Sequence, residues 1–410
     1  MKELPTYEES LGRMLEQIPE PEPEATLLEH CRGRALADEV CADMDMPPFD
    51  KAMMDGFAVR SQDAAKAPAQ LAIVGEQPAG APVRLEVKPG QAIRIMTGAP
   101  IPSGADAVQK VEATREREGR VEILQSVSPG QNVSRQGSLV AKGSMVLERG
   151  RLIAAPEAGV LAMFGQAAPR VFRGLTARIQ STGSELTPVN ELPAAGKIRD
   201  SNSHMLAALC QGLGMTCETG PIIPDEPEPT RAALRAARDR DFILLSGGVS
   251  MGLYDLVPRI LAAEGFEVIF HKAAVKPGKP VLVARRSKCV LFGLPGNPVS
   301  CYVTFQLYVR PAVRKRMGFR RFDPLQVRAK LTEEVVQNPG RRFYRPGRIR
   351  RNGRHFEVAP VPTKGSADLI AFSSANAMFV MEADCSELAA GAWVETIIFE
   401  EKTSEVDSSG

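Results

Sequence analysis

The sequence predicts a multidomain chain that is α/β plus β, with a central α/β block set between β-rich segments and helical material near its start. Three observations carry this. Two apolar runs, D-F-I-L-L-S (241–246) and C-V-L-F-G-L (289–294), each stop in a glycine-rich polar loop. Short apolar runs of this kind, separated by amphipathic stretches, read as buried parallel strands alternating with helices. The regions from about residue 40 to 147 and beyond 318 break instead into short alternating runs punctuated by Gly and Pro, the texture of antiparallel β structure. Finally, 410 residues exceed what one ordinary core accommodates, so several domains are expected.

Taken in order, Y-E-E-S-L-G-R-M-L-E-Q-I (7–18) has the amphipathic period of a helix, Pro19, Pro21 and Pro23 interrupt it, and T-L-L-E-H-C-R-G-R-A-L-A (26–37) resumes the pattern. A β-rich segment follows. Helix returns over 150–166, with Ala155, Pro156 and Glu157 as its start. Strand and helix then alternate from Thr176 to Gly318. Within this block Asn297 is a favoured N-cap and Pro298 a favoured first helical residue, so a helix is expected to run from Val299 to Met317, kinked at Pro311. A small all-β region ends the chain, and the last ten residues are expected to fray. The boundaries expected are 1–44 with 147–174, 45–146, 175–320 and 321–400, leaving 401–410 as a tail.

Composition is that of a soluble globular protein, with 44% apolar and 24% charged residues. A net charge of +2 favours neither nucleic acid nor membrane as a partner, so any basic site is local. No apolar stretch reaches the roughly 18 residues of a membrane span. The seven cysteines (31, 41, 210, 217, 289, 301 and 385) show no metal-binding spacing, which suggests a reducing cytoplasm. Cys210, Cys289 and Cys301 sit in apolar runs and read as buried fillers. With four histidines, a His-rich metal site is not expected.

In α/β sheets ligands collect beyond the carboxyl ends of the strands, where strand order reverses. The loops there carry Glu185 in S-T-G-S-E-L, Asp225 in I-I-P-D-E-P and Asp255 in S-M-G-L-Y-D. Carboxylates without histidine suit a hard cation such as Mg²⁺, which bridges them to substrate phosphates. Lys272, with Lys276 and Lys279 of K-P-G-K-P, adds positive charge, and the helix start at Gly296–Asn297–Pro298 offers N–H groups to an anion. By residue chemistry alone, Asp55 before Gly56 and Thr97 before Gly98 are turns. The seven arginines between Arg341 and Arg354 read as a solvated β face.

The motifs P-P-F-D-K-A-M-M-D-G-F-A-V-R, R-I-M-T-G-A-P-I-P, S-T-G-S-E-L, S-G-G-V-S-M-G, K-P-G-K-P and L-P-G-N-P-V-S occur in this order. In combination they resemble the MoeA family of molybdopterin molybdenumtransferases, related to the gephyrin E domain, over about residues 5 to 397. The resemblance implies an elongated homodimer with shared active sites and a MogA-like, molybdopterin-binding α/β domain. It also implies insertion of molybdate into the dithiolene of adenylylated molybdopterin with release of AMP, Mg²⁺ as cofactor, and a possible molybdopterin adenylyltransferase partner. Asp55, Thr97, Glu185, Asp225, Asp255, Lys272 and Lys276 would then be catalytic, with Glu185, Asp225 and Asp255 on the cation. Ser246, Gly247, Gly248, Lys279, Pro295, Gly296, Asn297, Pro298 and Ser366 would hold the substrate. Ser138, Leu139 and Ser184 stand where the family carries acids. The alternatives are a non-catalytic scaffold, which predicts loss of the acid and lysine set, and the adenylylation step itself, which needs only the α/β block.

Overall fold

The structure, a computed structural model, describes residues 4–247 and 256–406. The first helix, α1 (Tyr7–Glu16), starts in a reciprocal cap: Thr6 Oγ1 accepts from Glu9 N–H at 3.1 Å and the Glu9 carboxylate accepts from Thr6 N–H at 2.9 Å. Its apolar face enters the core of the α/β block through Tyr7 and Met14, and Ile18 just beyond the helix joins them. The segment that follows differs from its helical period. Only Leu28–His30 makes a short 3₁₀ turn, while Pro23–Ala25 pairs with Arg170–Phe172 and Val40–Cys41 with Met145–Leu147. Long-range pairing outweighs a weak helical pattern here, and Gly33, with φ +82°, ends it.

The β-rich segment forms a six-stranded sheet from β1 (Gly56–Val59), β2 (Ala69–Gln77), β3 (Gln91–Ile95), β4 (Ala107–Lys110), β5 (Thr114–Arg117) and β6 (Arg120–Ile123), in the order β4-β1-β3-β2-β6-β5. Helix α2 (Ala155–Met163) then begins where Ala154–Pro156 and Glu157 place it, the Glu157 carboxylate accepting from Ala154 N–H at 3.1 Å.

Next come β7 (Thr176–Ser181), α3 (Asn202–Gly212), β8 (Thr216–Thr219), α4 (Pro227–Ala236), β9 (Phe242–Ser246), α5 (Leu256–Ala263), β10 (Glu267–His271), β11 (Val275–Lys276), β12 (Leu282–Arg286) and β13 (Cys289–Leu294). The main sheet has the order β8-β7-β9-β13-β12-β10, with β8, β7, β9 and β13 parallel, β12 antiparallel to β13, and β10 antiparallel to β12. From β7 the chain crosses by α3 to β8 on one side, then by α4 to β9 on the other. Strand order therefore reverses between β7 and β9, which opens a crevice at their carboxyl ends. The interior strands are buried on both faces: every residue of β9 and β13 is buried, as their unbroken apolar runs require. Cys210, Cys289 and Cys301 fill this core, and burial pushes each thiol up to about 12.

Helix α6 (Pro298–Thr304) continues through a π turn at Phe305–Val309 into α7 (Arg310–Arg316). The expected break at Pro311 is thus absorbed one turn upstream: a residue without an N–H, whose ring crowds the preceding turn, is accommodated by locally widening the helix. The terminal region closes on itself. Strands β14 (Gln326–Leu331), β15 (Arg342–Asn352), β16 (His355–Pro360), β17 (Ala377–Met381) and β18 (Trp393–Ile398) pair in the cycle β15-β16-β14-β18-β17-β15, a five-stranded barrel without free edges. A short helix, α8 (Leu369–Ser373), makes this region less purely β than its sequence suggests. Strand β11 leaves the α/β sheet and pairs in parallel with β15, Val275 opposite Arg342 and Lys276 opposite Phe343.

A buried charge hub ties the start of β9 to the N-terminal segment. The Asp241 carboxylate, 7% exposed, accepts from Arg173 at 2.5 and 2.9 Å and from Thr176 N–H at 2.9 Å. Burial opposes its ionisation, but Arg173 and the Thr176 N–H outweigh that and hold it below the usual range. Glu22 accepts from Lys288, Arg173 and Arg316 at 2.8–3.0 Å, and these hold its carboxyl down to about 2, the Lys288 bond first. A depressed carboxyl contributes stability that is full above its unfolded pKa and is lost as pH falls through the folded one. The melting temperature should therefore drop as pH falls from 4.5 towards 2, and drop less in Glu22→Gln. Calorimetry across that range checks this.

Candidate functional site

The crevice at the reversal point is built by close backbone approach. Gly247 N–H donates to Leu294 O at 3.2 Å and Thr182 N–H to Ser246 O at 2.8 Å. A Cβ on Gly247, whose φ is +89°, would lie 2.2 Å from Thr182 O, so only glycine fits. Asn202, at the start of α3, donates from Nδ2 to Ser246 Oγ at 2.7 Å and Gly296 O at 2.8 Å. One buried amide thus fastens the β9 loop to the β13 loop. Around it four buried oxygens have no hydrogen-bond partner among the described residues: Ser181 Oγ, Thr182 Oγ1, Asn202 Oδ1 and Asp225 Oδ1. Buried polar groups are rarely left unpaired, because each costs its full desolvation penalty. Their grouping at one strand edge marks a place for a polar ligand.

The acids reach the same edge. Glu185 folds back over Gly183, where a Cβ would fall 2.7 Å from its carboxylate, and the Thr182–Ile223 bridge brings the Asp225 loop alongside. Asp255 and Gly248 lie outside the described residues. Among the described residues no cluster of three or more His, Cys, Asp or Glu is arranged for a metal. Glu185 and Asp225 are two oxygen donors, one with a buried orphan atom, and they suit a hard cation that draws its other ligands from phosphate and water.

The lysine loop lies between the α/β block and the barrel. Lys276, Lys279, Arg341, Phe343, Ser366 and neighbouring residues line a cavity of about 330 Å³. Gly278 sits against Thr304, with 2.5 Å from an added Cβ to Thr304 Cγ2. Burial, then Arg341 and Arg345, lower the Lys276 pKa. Lys272 adopts φ +72° and bonds through its backbone N–H to Val281 O at 2.8 Å.

The helix start at Pro298 departs from its expected use. Asn297 caps by backbone geometry while its Nδ2 donates to Ser366 Oγ at 2.8 Å, and Val299 N–H donates to Ser366 O at 3.1 Å. The barrel loop of Ser366 thus occupies a donor that was expected to face an anion. Pro295 is buried behind this turn and Gly296 is exposed in it. Asp55 and Thr97 pair with each other on the β-rich sheet, Thr97 N–H and Oγ1 donating to Asp55 Oδ1 at 2.6 and 2.7 Å, which lowers the Asp55 pKa. Ser138 and Leu139 lie on an exposed turn of the same region, and Ser184 is exposed beside Glu185.

Sequence reasoning missed Asn202 and Arg341. D-S-N-S before an amphipathic run could have flagged the first as a helix start. The arginine run was read as solvated, and Arg348, Arg350, Arg351 and Arg354 are exposed. Arg341, Arg342 and Arg345 are half-buried instead, because the strand that carries them docks on β11.

This arrangement defines a multidomain α/β protein with a polar crevice at a strand-order reversal and a cation-lined cavity beside an appended barrel. Residues 5–165 match the MoeA N-terminal region (domain I and II), residues 178–315 the probable molybdopterin binding domain, and residues 328–399 the MoeA C-terminal region (domain IV). Molybdopterin molybdenumtransferase of Staphylococcus epidermidis is 34% identical over 406 residues, covering 98% of this chain and 97% of that protein. Its Staphylococcus aureus counterpart is 34% identical over 403 residues, covering 97% and 96%. The molybdopterin biosynthesis moeA protein of Pyrococcus horikoshii superposes with a TM-score of 0.83 at 28% identity, covering 97% of this chain and 100% of that one. The chain belongs to the MoeA family: it is a molybdopterin molybdenumtransferase of molybdenum cofactor biosynthesis.

Asn202→Ala removes two bonds and leaves Ser246 Oγ and Gly296 O without their donor, so it should cost about 2–3 kcal/mol. Urea unfolding at equilibrium measures this.

Proposed function

We propose that the chain inserts molybdate into the dithiolene of adenylylated molybdopterin, releasing AMP, with the substrate laid along the crevice from Ser246–Gly247 to the lysine-lined cavity. The observation that carries this is the group of four buried oxygens at the crevice that have no partner among the described residues, hydrogen-bonding groups that a polar ligand would complete. Asn202 holds the two loops that frame the ligand. Glu185 and Asp225, with Asp255, would hold Mg²⁺, which would offset charge on the substrate pyrophosphate while water adds to phosphorus and the anhydride P–O bond breaks, giving AMP and the molybdopterin phosphate. Lys276, Lys279 and Arg341 face the cavity and would offset the charge of molybdate while two of its oxygens are exchanged for the dithiolene sulfurs. Ser366 and Asn297, bonded to each other, keep the barrel loop closed over the helix start.

A homodimer with shared sites accounts for Asp55 and Thr97, which pair on a sheet that carries no cation-binding set of its own among the described residues. Retention of the acid and lysine set disfavours a scaffold, and the appended barrel disfavours the adenylylation step alone. Seven unpaired cysteines suit the reducing cytoplasm proposed for it. Among the described residues no helix is long and apolar enough to cross a membrane.

Glu185→Ala should abolish AMP release from adenylylated molybdopterin while the dimer persists. Near wild-type turnover at limiting Mg²⁺ in a single-turnover assay would refute the role given to Glu185. Mixing Asp55→Ala with Glu185→Ala chains should restore about half the wild-type activity per heterodimer, since one of two equivalent sites is then intact. If each chain held its whole site, activity would stay at the parental level after subunit exchange is verified by mass spectrometry.

A further inference from the structure

The cavity beside the lysine loop gathers like charges that no ion pair among the described residues neutralises. Two arginines of the barrel region sit beside acids, Arg342 with Glu382 and Glu395 and Arg350 with Glu357. Lys276, Arg341 and Arg345 form no ion pair among the described residues, and Arg341 and Arg345 donate to main-chain carbonyls instead, of Val275 at 3.3 Å and Val336 at 3.1 Å. Yet they are close enough for both arginines to depress the Lys276 ammonium. Such a cluster needs something that holds it together before a ligand arrives.

One ring meets two of the three cations. Lys276 Nζ lies 4.2 Å and Arg345 Cζ 5.5 Å from the centroid of Phe343, both within the distance at which the ring quadrupole attracts a cation. The register explains why: Lys276 of β11 stands opposite Phe343 of β15, so a backbone ladder delivers the ammonium to the ring.

We infer that Phe343 is a positioning residue for the proposed reaction, its ring face seating the Lys276 ammonium at the cavity and holding it beside Arg345 so that a tetrahedral oxyanion meets a preassembled positive site. This rests on the reading of the cavity as the oxyanion site. It assigns Phe343 no contact with the reacting atoms; its effect passes through Lys276. The charged and titratable groups facing Lys276 are Lys279 on its own loop, Arg341 just before β15, and Tyr344 and Arg345 on β15.

The test uses molybdate as probe, titrated calorimetrically into the full-length protein across the alkaline range. The variants are Lys276→Ala, Phe343→Leu, Phe343→Trp and a chain carrying a ring-fluorinated phenylalanine at 343, which keeps the shape and drains the ring charge. Phe343→Leu and the fluorinated chain should bind molybdate about tenfold more weakly, and Phe343→Trp should recover most of the loss. The ring favours the protonated amine, so without it the alkaline limit of binding should move to lower pH. Wild-type affinity and pH limit in the fluorinated chain, with binding lost in Lys276→Ala, would overturn the role of Phe343 and leave the oxyanion reading standing. No molybdate binding by the wild type would overturn both. Should Phe343→Leu fail to fold, the fluorinated chain decides.

Discussion

Two pairs of residues facing each other across a parallel ladder, Val275 with Arg342 and Lys276 with Phe343, connect the α/β block to the terminal barrel, and the geometry of the cavity depends on them. The lysine loop leaves its own sheet to make this ladder. Gly278 then lies against Thr304 at the end of α6, while the Ser366 loop bonds Asn297 and Val299 at its start. Each contact alone is a modest hydrogen bond or packing contact. Together they hold one lysine loop from both sides, which is the preorganisation that electrostatic stabilisation of an oxyanion requires.

The protein treats its buried charges in two ways. At Asp241 and Glu22, and again where Arg310 meets Glu400 and Glu401, opposite charges are brought together and each carboxylate receives several donors. This is the condition for carrying an ion pair inside a protein. Around Lys276 the rule is reversed: cations are placed side by side and left to carbonyls and an aromatic ring. Three cations side by side make a local positive field at this cavity, on a chain whose net charge is only +2.

The crevice shows the same economy with neutral groups. Ser246, Gly247 and Gly296 are drawn together by Asn202, yet Asn202 Oδ1, Ser181 Oγ and Thr182 Oγ1 have no partner among the described residues. Gly247 cannot be replaced without displacing the Thr182 carbonyl. The backbone comes close enough for the loops to present their polar atoms in one direction, and only the absence of a side chain permits that approach.

Much of this was legible in the chain itself. Unbroken apolar runs identified β9 and β13 as buried strands, because a strand covered on both faces has no polar alternation to show. Ala155–Pro156–Glu157 marked a helix start through residues that act within one turn. The loops carrying Glu185, Asp225 and the lysines followed from the rule that ligands gather at strand ends. Three things were decided only by tertiary contacts. Residues 26–37 have a helical period but pair across the molecule with 152 and 167–172, and their weak propensity yields to those partners. The N–H of Val299 reads as open to an anion, but Ser366, distant in sequence, occupies it. Arg341 and Arg345 are indistinguishable in sequence from the exposed arginines that follow. What separates them is that one end of β15 docks against β11 and the other turns out to solvent, and a pairing between segments some 70 residues apart leaves no local signal to read.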